Sequence, residues 1–249
     1  MATTSAPVAL TYKTIRRDYQ THCAIEPVLV DHYAKLLSPL LTPCFVRFGI
    51  IPNVVTVFMM ISGIIGSALF ALPPLWAKVA GLVFIHLWYV LDCCDGEVAR
   101  ITRRFSRMGT EIDYTAHLVN HPLFNLAFAV SLIQLHRYST PLILFIAIIS
   151  ISAELMLRNL LALRSILDFK SGSAPQVQEP DSVWPLAKRT VARFLSLYPN
   201  FALAFPVVVL ADVCFGTSFA IYSLFAQTLI SGLAAAKGYL GWVRQILWA

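Results

Sequence analysis

Charge is what this chain has least of. Of its 249 residues 13% are charged, with 19 Lys and Arg against 13 Asp and Glu. A soluble domain of this length carries about a quarter charged residues, so the deficit excludes an ordinary water-facing surface. Cysteine is equally sparse. Cys23, Cys44, Cys93, Cys94 and Cys214 are odd in number, scattered and mostly within apolar stretches, which leaves neither a disulfide framework nor a zinc-finger spacing. The N-terminus does not read as a secretory signal, since no apolar core follows Lys13, Arg16 and Arg17 before Asp31. No internal repeat stands out. The net charge is +6, and in so apolar a chain this excess reads as loop charge on a cytoplasmic face, with no call for nucleic acid as a partner.

What the chain has in abundance is apolar sequence: 58% hydrophobic residues and a mean hydropathy of +0.71. A spanning helix needs about 20 mainly apolar residues. Six stretches meet that length, roughly 53–74, 76–96, 110–136, 141–163, 195–212 and 214–233, and predict an all-α integral membrane fold with six transmembrane helices. Before them, residues 27–50 alternate apolar groups with Asp31, His32, Lys35 and Arg47, the pattern of an amphipathic helix lying in the membrane interface. The chain thus divides into an N-terminal cytoplasmic segment (1–26), an interfacial helix (27–50), a six-helix membrane domain (51–235) and a C-terminal cytoplasmic tail (236–249). Phe169 to Asp181, with Ser171-Gly172-Ser173, Pro175 and Pro180, reads as a loop.

Lys and Arg placement predicts the topology. Arg100, Arg103, Arg104 and Arg107 fill the second connection, and Arg164, Lys170, Lys188, Arg189 and Arg193 fill or flank the fourth. The first and third connections offer only Lys78 and Arg137. Both termini and the second connection therefore face the cytoplasm.

Polar residues inside an apolar chain mark function by default. Asp92 and Asp95, with Ala99, share one side of the second span near its cytoplasmic end, and Asp113 and His117 share one side of the third near its start. A short connection makes these helices antiparallel neighbours, so the two clusters can meet. Carboxylates so confined repel one another unless a cation joins them, and oxygen ligands of this kind suit Mg²⁺ or Mn²⁺. Gly96 and Ala99 are small enough to let a flat base or a diphosphate approach the backbone, and Arg100 can fork onto a phosphate. Cys93 and Cys94 read as small packing residues, and Glu97 and Glu111 as charges at the loop edge. His121 precedes Pro122 and reads as a partner of a helix kink. Glu154 and Arg158, four apart in the fourth span, fit either a buried ion pair or an acceptor site, with Arg164 and Arg193 as further basic groups near the helix ends.

The run Asp92-x2-Asp95-Gly96-x2-Ala99-Arg100-x8-Gly109-x3-Asp113 resembles the signature of the CDP-alcohol phosphatidyltransferases, also called CDP-alcohol phosphotransferases. Pro52-Asn53-x2-Thr56 at the start of the first span looks like a second feature of that family. The resemblance implies transfer of a substituted phosphate from a CDP-linked donor to an alcohol, with release of CMP. It implies that Asp92, Asp95 and Asp113 hold divalent cations, two in number, and that Gly96, Ala99, Arg100, Gly109 and Asn53 shape the CDP pocket. It also implies membrane lipids as surroundings and a homodimer as the assembly.

One position departs from the pattern. Where the family has a fourth aspartate, the usual general base and often a metal ligand, this chain has His117. An imidazole, with an unperturbed pKa of about 6.5, is a competent base at neutral pH, so His117 is both the candidate catalytic base and a candidate ligand. The donor reads as CDP-diacylglycerol with a polar acceptor, for which Arg158 and Arg164 are candidate binding residues. A small CDP-alcohol with a lipid or glycan acceptor is the alternative. Two other classes compete: a proton-coupled transporter, disfavoured because such relays lie near the bilayer midplane, and a zinc hydrolase with His117 and His121 as ligands, which lacks an evident third ligand.

Overall fold

The computed structural model describes residues 10–20, 30–171 and 198–247. Among them the chain is α-helical, in the order α1 (Tyr12–Asp18), α2 (Val30–Arg47), α3 (Pro52–Phe70), α4 (Leu75–Thr102), α5 (Gly109–Gln134), α6 (Thr140–Ser171), α7 (Tyr198–Phe215) and α8 (Phe219–Leu247). Five helices are long and apolar enough to cross a membrane: α3, α4, α5, residues Thr140–Leu160 of α6 and Phe219–Arg244 of α8. The fifth expected span falls on α7, whose apolar part Ala204–Phe215 is shorter. The all-α integral membrane fold is therefore as expected, with five full-length spans and one shorter apolar helix among the described residues.

Local chemistry sets the helix ends. Pro52 opens α3 at a position where its missing N–H costs nothing, and Pro73 and Pro74 follow its end. α4 runs about a turn and a half beyond the expected 96 and stops where Arg103 turns left-handed at φ 53°. The motif residues 92–100 therefore lie within the helix. α7 ends at Gly216, with φ 71°, three residues later than expected. Asp212 starts α8 by accepting from Thr217 Oγ1 at 2.5 Å, Phe219 N at 3.0 Å and Ala220 N at 2.8 Å. α8 continues through residues 236–247, where the sequence reads as a tail. The loop expected over 169–181 lies, beyond Ser171, outside the described residues, as do Lys188, Arg189 and Arg193.

The core is built on α3, α4 and α5. Helices in lipid gain little from hydrophobic sorting and pack through small residues that let backbones touch. A Cβ on Gly81 would lie 2.5 Å from Phe70 N and 2.8 Å from Gly66 O, so α3 and α4 meet backbone to backbone. Trp88, Phe70, Phe124, Phe128 and Phe205 fill the interior. α2 lies against α4, and α6 packs against α5 and α8.

Candidate functional site

α4 and α5 both pack against α3, and side chains from the C-terminal part of α4 and the N-terminal turns of α5 meet. His117 Nε2 lies 3.1 Å from Asp92 Oδ1 and 3.4 Å from Asp113 Oδ1. Asp92, Asp113 and His117 each offer a ligand atom, all within 4.8 Å of one another. The expected convergence of the two polar clusters is thus present. Two carboxylate oxygens and one imidazole nitrogen at this spacing fit a hard divalent cation, with the nitrogen tilting the set toward Mn²⁺.

Asp95 stands beside this cluster, outside the group of three. Its Oδ2 accepts from Thr56 Oγ1 at 2.7 Å, so the start of α3 fixes the second motif aspartate. Asn53, one turn earlier on α3, donates to Ser106 Oγ at 3.0 Å, and its Oδ1 would lie 3.9 Å from a Cβ on Gly109. The two sequence features of α3 and α4–α5 therefore form one surface. Thr56, which sequence reading named only within the Pro52–Thr56 feature, is the residue that holds Asp95.

Gly96 serves Arg100. A Cβ at Gly96 would meet Arg100 Nη1 at 3.1 Å and Nη2 at 3.2 Å, so the guanidinium lies across the bare helix surface there. Arg100 Nε donates to the Tyr19 carbonyl, which brings the end of α1 to the rim of the site. Ala99 is half-buried on the same stretch of α4.

Glu97 corrects a sequence reading. Read as a loop-edge charge, it is 1% exposed and accepts from Gln20 Nε2 at 2.8 Å, Ser38 Oγ at 2.5 Å and Thr42 Oγ1 at 2.5 Å. The reason is register: Ser38 and Thr42 sit one turn apart on α2, which lies along this face of α4. Glu111 is exposed at the start of α5, as read. Cys94 is buried in packing, as read.

His121 has partners that sequence reading did not give. α5 continues through Pro122, and His121 is buried with Nδ1 2.7 Å from Glu154 Oε1. Arg158 Nη2 reaches His121 Nε2 at 2.9 Å and His117 Nδ1 at 3.3 Å. Both His121 nitrogens thus have partners away from the carboxylate cluster, which argues against the zinc-hydrolase reading. Arg164 lies on α6, and its side chain is outside the described residues.

On the other side of α4, a groove of about 440 Å³ runs between α2, α4 and α7, lined by Tyr33, Leu37, Val83, His86, Val90 and Val207 among others. Helical periodicity sets it opposite Asp92 and Asp95, so it does not open onto the polar cluster.

Compared with known families, residues 49–228 match the model described as CDP-alcohol phosphatidyltransferase. Comparison with curated proteins gives no match.

Proposed function

Because the chain belongs to the CDP-alcohol phosphatidyltransferase family, we propose that it moves a phosphatidyl group from CDP-diacylglycerol to a small polar alcohol and releases CMP. The observation that carries the reading is the meeting of Asp92, Asp113 and His117. Asp92, Asp95 and Asp113 are the residues to hold the cations. Bound Mg²⁺ or Mn²⁺ supplies neutralisation of charge on the diphosphate and on departing CMP. A neutral imidazole with a proton on Nδ1 has a single lone pair on Nε2, and we assign that lone pair to the proton of the acceptor. The acceptor hydroxyl gives its proton to His117 Nε2 while its oxygen attacks the phosphorus that bears diacylglycerol. The bond from that phosphorus to the bridging oxygen breaks, and CMP leaves with the electron pair. Asn53, Gly96, Ala99, Arg100 and Gly109 surround the nucleotide end, and Arg158 contacts His117 Nδ1, on the side of the ring away from the acceptor. The arginines at 100–107 support a cytoplasmic location for the site and both termini.

Purified protein in nanodiscs, given labelled CDP-diacylglycerol, Mg²⁺ or Mn²⁺ and a panel of alcohols, tests the reading. Metal-dependent CMP release with one acceptor, lost in Asp95→Ala, is the expected result. Release only from a small CDP-alcohol would replace the donor, and release from neither donor would overturn phosphotransfer. His117→Ala that binds Mn²⁺ normally but releases no CMP identifies the base; loss of Mn²⁺ binding identifies a ligand instead.

A further inference from the structure

Behind His117, on the side away from the carboxylates, stands a second imidazole. His121 lies one turn along α5, its ring centroid 5.3 Å from that of His117 and the planes 21° apart. His117 Nδ1 and His121 Nε2 are 3.1 Å apart. His121 Nδ1 reaches Glu154 Oε1 on α6 at 2.7 Å. Glu154 is 1% exposed, and its other oxygen accepts from Asn125 Nδ2 at 2.7 Å. Asn125 Oδ1 in turn accepts from Gln227 Nε2 on α8 at 2.7 Å. Three helices thus fix one buried carboxylate, which is an expensive arrangement in an apolar bundle unless it serves something.

What it serves follows from the contacts. His121 Nδ1 stands 2.7 Å from the buried Glu154 Oε1, so turning the ring would part the two. Its Nε2 edge is then held against His117 Nδ1. Trp88 stands edge-on to both rings, at 4.9 Å from His117 and 5.3 Å from His121, and blocks a swing to the other side. Arg158 Nη2 touches the same two nitrogens and closes the remaining side. With Nδ1 held from behind, Nε2 of His117 is the nitrogen that faces Asp92 and Asp113. A functional imidazole oriented through its second nitrogen is the general arrangement of catalytic and metal-binding histidines.

We propose that Glu154 and His121 are positioning residues for His117: the carboxylate fixes the buried imidazole, and that imidazole holds the functional ring with Nε2 directed at the Asp92–Asp113 cluster. The proposal rests on the reading of His117 as the acting nitrogen, so the experiment measures that reading separately. CMP release is followed for His117→Ala, for the breaking variants His121→Leu and Glu154→Leu, and for the conservative variants His121→Gln and Glu154→Gln. Leucine keeps the volume, so the bundle stays packed, while glutamine keeps an acceptor at the needed place. The leucine variants are expected to lower kcat about 10–100-fold with the donor KM close to wild type, and glutamine at 154 to recover most of the loss. Combined with His117→Ala, His121→Leu adds no further loss, since both act through one group. As a readout without turnover, ring-¹⁵N signals of His117 in bilayer-embedded protein shift in the leucine variants and return toward wild type in Glu154→Gln. Leucine variants that keep kcat, or that leave the His117 signals unmoved, overturn the positioning role. Full activity in His117→Ala overturns the reading of His117 itself, and the positioning role with it.

Discussion

Glu97 and Asp92 stand five residues apart on α4, and their surroundings differ in kind. Glu97 turns toward α2 and the segment after α1, where three donors, Gln20, Ser38 and Thr42, meet its two oxygens. Asp92 turns toward α5 and meets Asp113 across the His117 imidazole. Lys78, at the opposite end of α4, resembles Glu97: its ammonium donates to Phe70 O at 3.1 Å, Ser131 Oγ at 3.0 Å and Gln134 Oε1 at 2.8 Å, one acceptor for each proton. A buried charge whose partners are all protein groups holds helices together. Carboxylates turned toward one another, with one imidazole between them, are the group proposed above to receive a cation.

The comparison can be broken or sharpened by substitution, and the largest effect is expected on the Asp92 side. Asp113→Ala should lower metal-dependent CMP release by more than about 100-fold, beyond the usual cost of losing an outer-shell partner. Its thermal midpoint should stay at or above that of wild type, because one of two facing carboxylates is gone. A parallel fall in stability would show that this cluster is structural, like the one around Glu97.

Glu97→Ala should do the reverse. It strands three buried donors and should cost about 2–4 kcal/mol of stability, read as a lower midpoint in thermal unfolding. Activity per folded molecule should change far less than in Asp113→Ala, and Glu97→Gln should fall between wild type and Ala in stability. Equal losses of specific activity at 97 and 113 would erase the distinction.

Next in size is Gly81→Ala. The new methyl meets α3 backbone at 2.5 Å and 2.8 Å, so the two helices must part. About 1–3 kcal/mol of destabilisation is expected. Because Thr56 of α3 holds Asp95 of α4, a parted pair should also raise the metal concentration needed for half-maximal CMP release. Lys78→Met should give the smallest change, about 1 kcal/mol or less, since removing a buried charge offsets the acceptors left behind.

Sequence reading succeeded where the signal is short-range. Asp92 with Asp95, and Asp113 with His117, sit within one helical turn, and α3 packs against both helices that carry them. It missed wherever the partner lies far along the chain. Glu97 meets Ser38 and Thr42 across 59 and 55 residues, and Asn125 meets Gln227 across 102. The His121–Glu154 contact escaped for the same reason, because Glu154 belongs to another helix whose rotation periodicity alone does not give.

By itself, then, the sequence determined the membrane class, the helix runs and the clustering of acidic groups at the α4–α5 turn, because hydrophobic length and one-turn spacing are local properties of the chain. The tertiary structure alone decided which polar groups became internal ties and which became the candidate site. That choice depends on the face each helix turns to its neighbours. In α3 and α4 the face is set by glycines that let backbones touch, and in α5, α6 and α8 by a chain of buried hydrogen bonds.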